Sequence, residues 1–184
     1  LEQHINNIYS SDLNLVAESN QVLTQLKQQD GLLLSIQQIL EQASLDRTKF
    51  YVLVVFEQRL PFIWVSLGAE QRQSLRQYFV GLFMKFARVD LTAETRPISS
   101  KITSVMVKLF LLGWQEWPTF IDDLVQQARN DQDICDSVMT ALDMLADEMV
   151  EGARASENSE QNKPVGWSLE RQAFVQSKLP TLAM

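Results

Sequence analysis

The sequence predicts an all-α fold in which antiparallel helix pairs stack side by side as a solenoid. Apolar residues recur three and four apart along almost the whole chain, and strand-type alternation is nearly absent. Short turns marked by Gly, Pro, Ser or Asp separate the helical stretches. A compact helical bundle is the competing fold. The 184 residues are expected to form a single segment, 1–184, of about four helix pairs.

Leu1, Ile5 and Ile8 share one helical face before the break at Ser10-Ser11-Asp12. A second helix aligns Leu15, Ser19, Val22 and Leu26 and ends near Asp30-Gly31, where glycine reaches the left-handed conformation that terminates helices. A shorter stretch carries Leu33, Ile36 and Leu40. Asp46 is then placed to cap a helix containing Tyr51–Phe56, whose β-branched residues would suit a strand but whose length and surroundings favour a mostly buried helix. Pro61 is expected to kink or end it.

The next helix runs from about Ala69 to Arg88 with Leu75, Phe79, Leu82 and Phe86 in line. A loop covers Asp90–Pro97, and Pro97 suits the start of a helix aligning Ile102, Val105, Leu109 and Leu112. In the segment GWQEWPTFIDDLV, Gly113 loosens that helix and Pro118 cannot extend it. A new helix follows with Phe120, Ile121, Leu124, Val125 and Ala128 apolar, and with Asp122 and Asp123 near its positive end. Trp117 is expected to plug this corner.

A helix over Ile134–Val150, a mobile polar loop at 156–166 and a last helix from Ser168 to about Leu179 complete the chain. Pair starts near Asp46, Pro97 and Asp131 are irregularly spaced, around the ~40–47 residues of HEAT and armadillo units. Such a solenoid buries a continuous core and leaves one row of helices for partners.

Composition excludes several function classes. No uninterrupted apolar run approaches the ~20 residues of a membrane span, and no secretory leader pattern is visible at the start. The single cysteine, Cys135, permits no intrachain disulfide, which favours a reducing compartment. Net charge is −7 and unevenly placed: ten Lys/Arg against four Asp/Glu over 47–108, then twelve Asp/Glu against two Arg over 116–160. That split argues against direct nucleic-acid binding, and it fits either solvated helix faces or a polarised surface for a protein partner.

No catalytic constellation emerges, so an enzyme is not expected. His4 and Cys135 sit on separate helices, and one Cys with one His cannot complete a zinc site. Asp143, Asp147 and Glu151 share a face, but read most simply as a solvated acidic surface. The phosphate-cradling GxGxxG and GxxxxGK[ST] patterns are absent, and neither cofactor nor metal is expected.

The order of pieces resembles the N-terminal part of the karyopherin-β superfamily, especially the exportins. Leu1–Ser10 followed by ESNQVLTQLKQ looks like the first repeat. DRTKFYVLVVFEQRLPFIW, with Glu57 and Trp64, resembles the outer helix of the second, and LRQYFVGLFMKF its inner helix. GWQEWPTFIDDLV matches the family's Trp-Pro joint, and DSVMTALDMLADEMV the next outer helix, with its acidic pair Asp147-Glu148. The joint has a single Trp-Pro step, which leans toward a divergent branch such as the exportin of actin and profilin.

The resemblance implies a receptor shuttling between nucleus and cytoplasm. Its expected partners are the GTP form of the small GTPase Ran, a protein cargo and, as further candidates, nucleoporins. Ran would meet the inner helices, those around Val22, Leu75, Phe120 and Ser168. Their exposed faces nominate Gln21, Gln25, Gln73, Arg76, Gln77, Asp123, Gln126 and Gln127 as contacts, although each taken alone reads as solvated surface. A HEAT-type scaffold or adaptor unrelated to Ran is the alternative, because surface residues rather than fold set function.

Overall fold

In a computed structural model describing residues 1–27, 35–158, 173, 174 and 177, the fold is all-α and HEAT-like. Eight α-helices occur among the described residues: α1 Glu2–Asn7, α2 Leu13–Lys27, α3 Ile36–Gln42, α4 Asp46–Trp64, α5 Ala69–Ala87, α6 Arg96–Leu112, α7 Phe120–Asn130 and α8 Cys135–Asn158. The chain divides into two compact units, Leu1–Leu67 with Leu91–Lys101, and Gly68–Asp90 with Ile102–Met184.

In the first unit α1 and α2 form a hairpin. Asp12 ends the predicted break as a helix cap, its Oδ1 accepting from the Asn14 and Leu15 amides at 2.9 and 3.4 Å. The buried edge of α2 is Ser19 and Leu23, whereas Leu15 is exposed. The face is therefore turned from the expected Leu15–Leu26 line. Helix α3 buries Ile36 and Leu40 as expected, whereas Leu33 and the expected helix end at Asp30-Gly31 lie outside the described residues.

The Tyr51–Phe56 run is helical in α4, and Val52, Leu53, Val55, Phe56, Leu60, Ile63 and Trp64 enter the core. Burial on several sides outweighs the strand preference of its β-branched residues. Asp46 opens this helix as its first residue rather than as its cap, and salt-bridges Lys49. The backbone amides of Ser44 and Leu45 instead donate to Glu2 Oε1 at 2.7 and 3.1 Å. These bonds, with that from the Ser44 hydroxyl, hold the Glu2 carboxyl below its usual range.

Of the two outcomes expected at Pro61, an end to the helix does not occur: α4 passes through it and continues to Trp64. The buried Leu60, Ile63 and Trp64 hold the last turn in place although proline contributes no amide. Pro61→Ala restores a helical donor, offset in part by a freer unfolded chain. It should raise stability by roughly 1–2 kcal/mol. Urea denaturation checks this, and a loss of stability would show that the ring packs usefully.

In the second unit α5 buries Leu75, Arg76, Phe79 and Phe83, a face rotated slightly from the expected Leu75–Phe86 line. Helix α6 contributes Ile102–Leu112 to this unit and is buried nearly all round, through Val105, Met106, Val107, Leu109, Phe110 and Leu111. In α7 Phe120, Ile121 and Leu124 face inward as the spacing predicts; the expected stripe Ile134, Val138, Leu142, Leu145 and Met149 is buried except at Leu142, whose place Ala141 takes in α8. Helix α8 extends past Val150 to Asn158, so the start of the polar stretch 156–166 is helical. The rest of that stretch, and most of the closing helix from Ser168, lie outside the described residues.

Polar contacts between distant residues repeat at a narrow sequence separation. Within the first unit Glu2 meets Ser44 and Leu45 at separations of 42 and 43, and Lys101 Nζ meets Glu57 Oε2 (2.7 Å) at 44. Within the second, Arg72 and Arg76 meet Glu116 at 44 and 40, and Arg88 meets Asp131 at 43. A similar offset at each joint is what stacked repeats produce, because equivalent positions of neighbouring units lie side by side. The offset falls in the HEAT range of ~40–47 residues.

Candidate partner-binding cleft

The site is built on α5 and α7, both in the second unit. Arg72 and Arg76, in the first half of α5, reach Glu116 just before α7, and Arg88 at the far end reaches Asp131. The two helices therefore run in the same direction, as equivalent members of successive repeats do. Between them lies a groove of two adjoining clefts of about 530 and 290 Å3. Gln73, Arg76, Gln77, Glu116 and Trp117 line the larger, and Met84, Asp123, Gln126 and Gln127 the smaller. Val80 and Trp117 line both.

Helical spacing explains the convergence. Positions 69, 73, 76, 77, 80 and 84 fall on one face of α5, and 120, 123, 124 and 127 on one face of α7. Six of the eight residues nominated from sequence thus line one groove. Gln21 and Gln25 are exposed on α2, in the first unit.

Arg76 is a correction to the exposed-face expectation. It is only 8% exposed, and its Nη2 salt-bridges Glu116 Oε2 while Nη1 donates to the Glu116 carbonyl at 3.3 Å. Its guanidinium also lies over the Trp117 ring, 5.9 Å from the centroid. Arg72 Nη1 takes the other Glu116 oxygen at 2.6 Å. Partial burial pushes the Glu116 carboxyl upward, but the hydrogen bonds and charges of Arg76 and Arg72 win and hold it below the usual carboxylate range.

Trp117 also departs from expectation. It is half-buried, and the corner plug is Phe120, which is 1% exposed and stacks on Phe110 at 4.5 Å between centroids. Trp117 meets Phe120 edge to face at 4.6 Å and keeps part of its indole open to the groove. Trp114 packs 5.3 Å from Phe174. Pro118 sits in the turn before α7, with Thr119 as the cap residue.

Glu116, Trp117, Val80 and Met84 were not nominated from sequence. Glu116 was legible there, because it stands one repeat length from both Arg72 and Arg76. Among the described residues no His, Cys, Asp or Glu grouping is arranged to hold a metal, and no helix is long and apolar enough to cross a membrane.

Comparison with known proteins agrees with this architecture. A family model described as "Importin-beta N-terminal domain" matches residues 19–85, and one described as "Exportin 1-like protein" matches residues 95–177. The two follow one another without overlap and together cover most of the chain. Protein EXPORTIN 1B of Arabidopsis thaliana is 27% identical over 155 residues, 83% of this chain and 14% of the relative. Exportin-1 of Dictyostelium discoideum is 24% identical over 153 residues and that of Drosophila melanogaster 25% over 151, each 81% of this chain and 14% of the relative. The chain thus spans about a seventh of the length of these relatives. They are exportin-1 proteins, and so give no support to the divergent branch toward which the single Trp-Pro step leaned. On the ordered family matches, the helical repeats and the exportin relatives together, this chain is an exportin-like member of the karyopherin-β superfamily.

Proposed function

We propose that this chain is the N-terminal segment of a nuclear transport receptor and that it binds Ran in its GTP form. The observation that carries the reading is the groove between α5 and α7. It gathers Gln73, Gln77, Asp123, Gln126 and Gln127 on neighbouring equivalent helices of a chain matching an importin-β N-terminal domain. Gln21 and Gln25 on α2 extend the contact set as exposed polar residues, and Arg76 enters as a residue shaping the cleft wall. Cargo carriage, nucleoporin contact and shuttling between nucleus and cytoplasm follow from the same reading. The chain itself acts by binding rather than catalysis.

Mixing the protein with Ran loaded with a non-hydrolysable GTP analogue, and separately with GDP, tests this. The GTP-analogue form should bind at least about tenfold more tightly, a difference of ~1.4 kcal/mol. Equal affinity for both forms, or none even in the chain extended to its relatives' length, would favour a HEAT scaffold unrelated to Ran.

A further inference from the structure

The geometry points to a two-part recognition site in which Trp117 receives an apolar side chain of the partner and Asp123 receives an adjacent lysine or arginine. The inference deepens the Ran reading and rests on it for the partner's identity, but its chemistry comes from the groove. Trp117 and Val80 line both clefts, so the two are continuous, and Met84 and Leu124 extend their apolar floor. Phe120 already fills the corner. Trp117 is left as a half-buried indole braced from one side by the Arg76 guanidinium. A large, partly open aromatic with a fixed orientation is the residue type that anchors protein interfaces.

The charges along the groove assign the second part. Glu116 in the larger cleft is already engaged by the guanidiniums of both Arg72 and Arg76, so it is not an open acceptor for a partner's cation. The remaining polar lining is uncharged: Gln73, Gln77, Gln126 and Gln127. Asp123 is the exception. It is exposed, accepts one hydrogen bond from the Thr119 hydroxyl at 2.8 Å, and stands at the smaller cleft. A carboxylate beside an apolar floor complements a cation next to an apolar side chain, and disfavours an acidic one.

Two probes separate this inference from the Ran reading: GTP-analogue-loaded Ran, and a dense peptide array presenting Phe or Leu beside Lys, beside Glu, or alone. With Ran, Trp117→Ala should weaken binding about tenfold or more at any salt concentration, while Trp117→Phe should stay within about threefold of the parent. Asp123→Lys should weaken it about tenfold at low salt and much less at high salt. Asp147→Lys, the same charge change on the exposed side of α8, should leave it unchanged.

On the array the parent should favour apolar-Lys over apolar-Glu peptides, and Asp123→Lys should invert that order. Array preference without Ran binding would overturn the Ran reading and uphold this one. Ran binding indifferent to both Trp117→Ala and Asp123→Lys would overturn this inference alone. Binding to neither probe overturns both.

Discussion

Phe120→Ala should destabilise the protein by about 3–5 kcal/mol, the range for emptying a buried aromatic site. Phe120 is 1% exposed, stacks on Phe110 and supports Trp117 edge to face, so truncation removes the corner's filling and both ring contacts. The neighbouring helices cannot close the gap easily, because Phe110, Ile121 and Leu124 are themselves buried in fixed positions. A loss on this scale is a large part of an ordinary domain's stability. Urea denaturation with an unchanged slope would confirm the cost. A variant as stable as the parent would mean the corner is held elsewhere, with Trp117 as the next candidate.

Glu116→Gln should cost about 1–2 kcal/mol at neutral pH, through the buried guanidinium it leaves behind. Arg76 has a side chain only 10% exposed and loses its carboxylate partner, while Arg72 loses its own. The figure stays below that of a fully buried pair because the Glu116 side chain is 40% exposed, and solvent screens it. The pH dependence has a definite sign. The folded-state carboxyl lies below its ordinary value of 4.5, so its contribution is fully present above that pH. It is lost as pH falls through the lower folded-state value. Acid unfolding of the parent should therefore be steeper below pH 4.5 than that of Glu116→Gln. Parallel acid limbs for the two proteins would contradict the clamp.

Much of the fold was legible because helical periodicity survives in the residues that meet the core. Phe120, Ile121 and Leu124 kept their predicted face, as did Val138, Leu145 and Met149. Where a helix is apolar on more than one side, spacing alone does not say which stripe packs deepest. This is why Phe83 and Leu23 took places expected of Leu82 and Val22. Pro61 does not end α4, because the burial of Leu60, Ile63 and Trp64 around it outweighs its local cost.

At the site, the exposed glutamines and Asp123 followed from the helix face, but Arg76 did not. Position 76 lies at the edge of the buried stripe, and a long side chain there can fold inward when a carboxylate waits one repeat ahead. Glu2 was missed for the same reason, since its Ser44 and Leu45 partners lie 42 and 43 residues away. The repeat offset, once known, makes both contacts readable. The tryptophan-proline motif drew attention to Trp117 as the plug, whereas the less conspicuous Phe120 sits deeper because α7 turns it straight onto Phe110.

Amide hydrogen exchange of the chain, alone and with GTP-analogue-loaded Ran, bears most directly on the central claim that the groove between α5 and α7 is the partner site. Ran should slow exchange in residues 73–84 and 116–127 and leave the outward side of α8 unchanged. Protection confined to other helices, with those two stretches exchanging at the same rate in the presence of Ran, would contradict it.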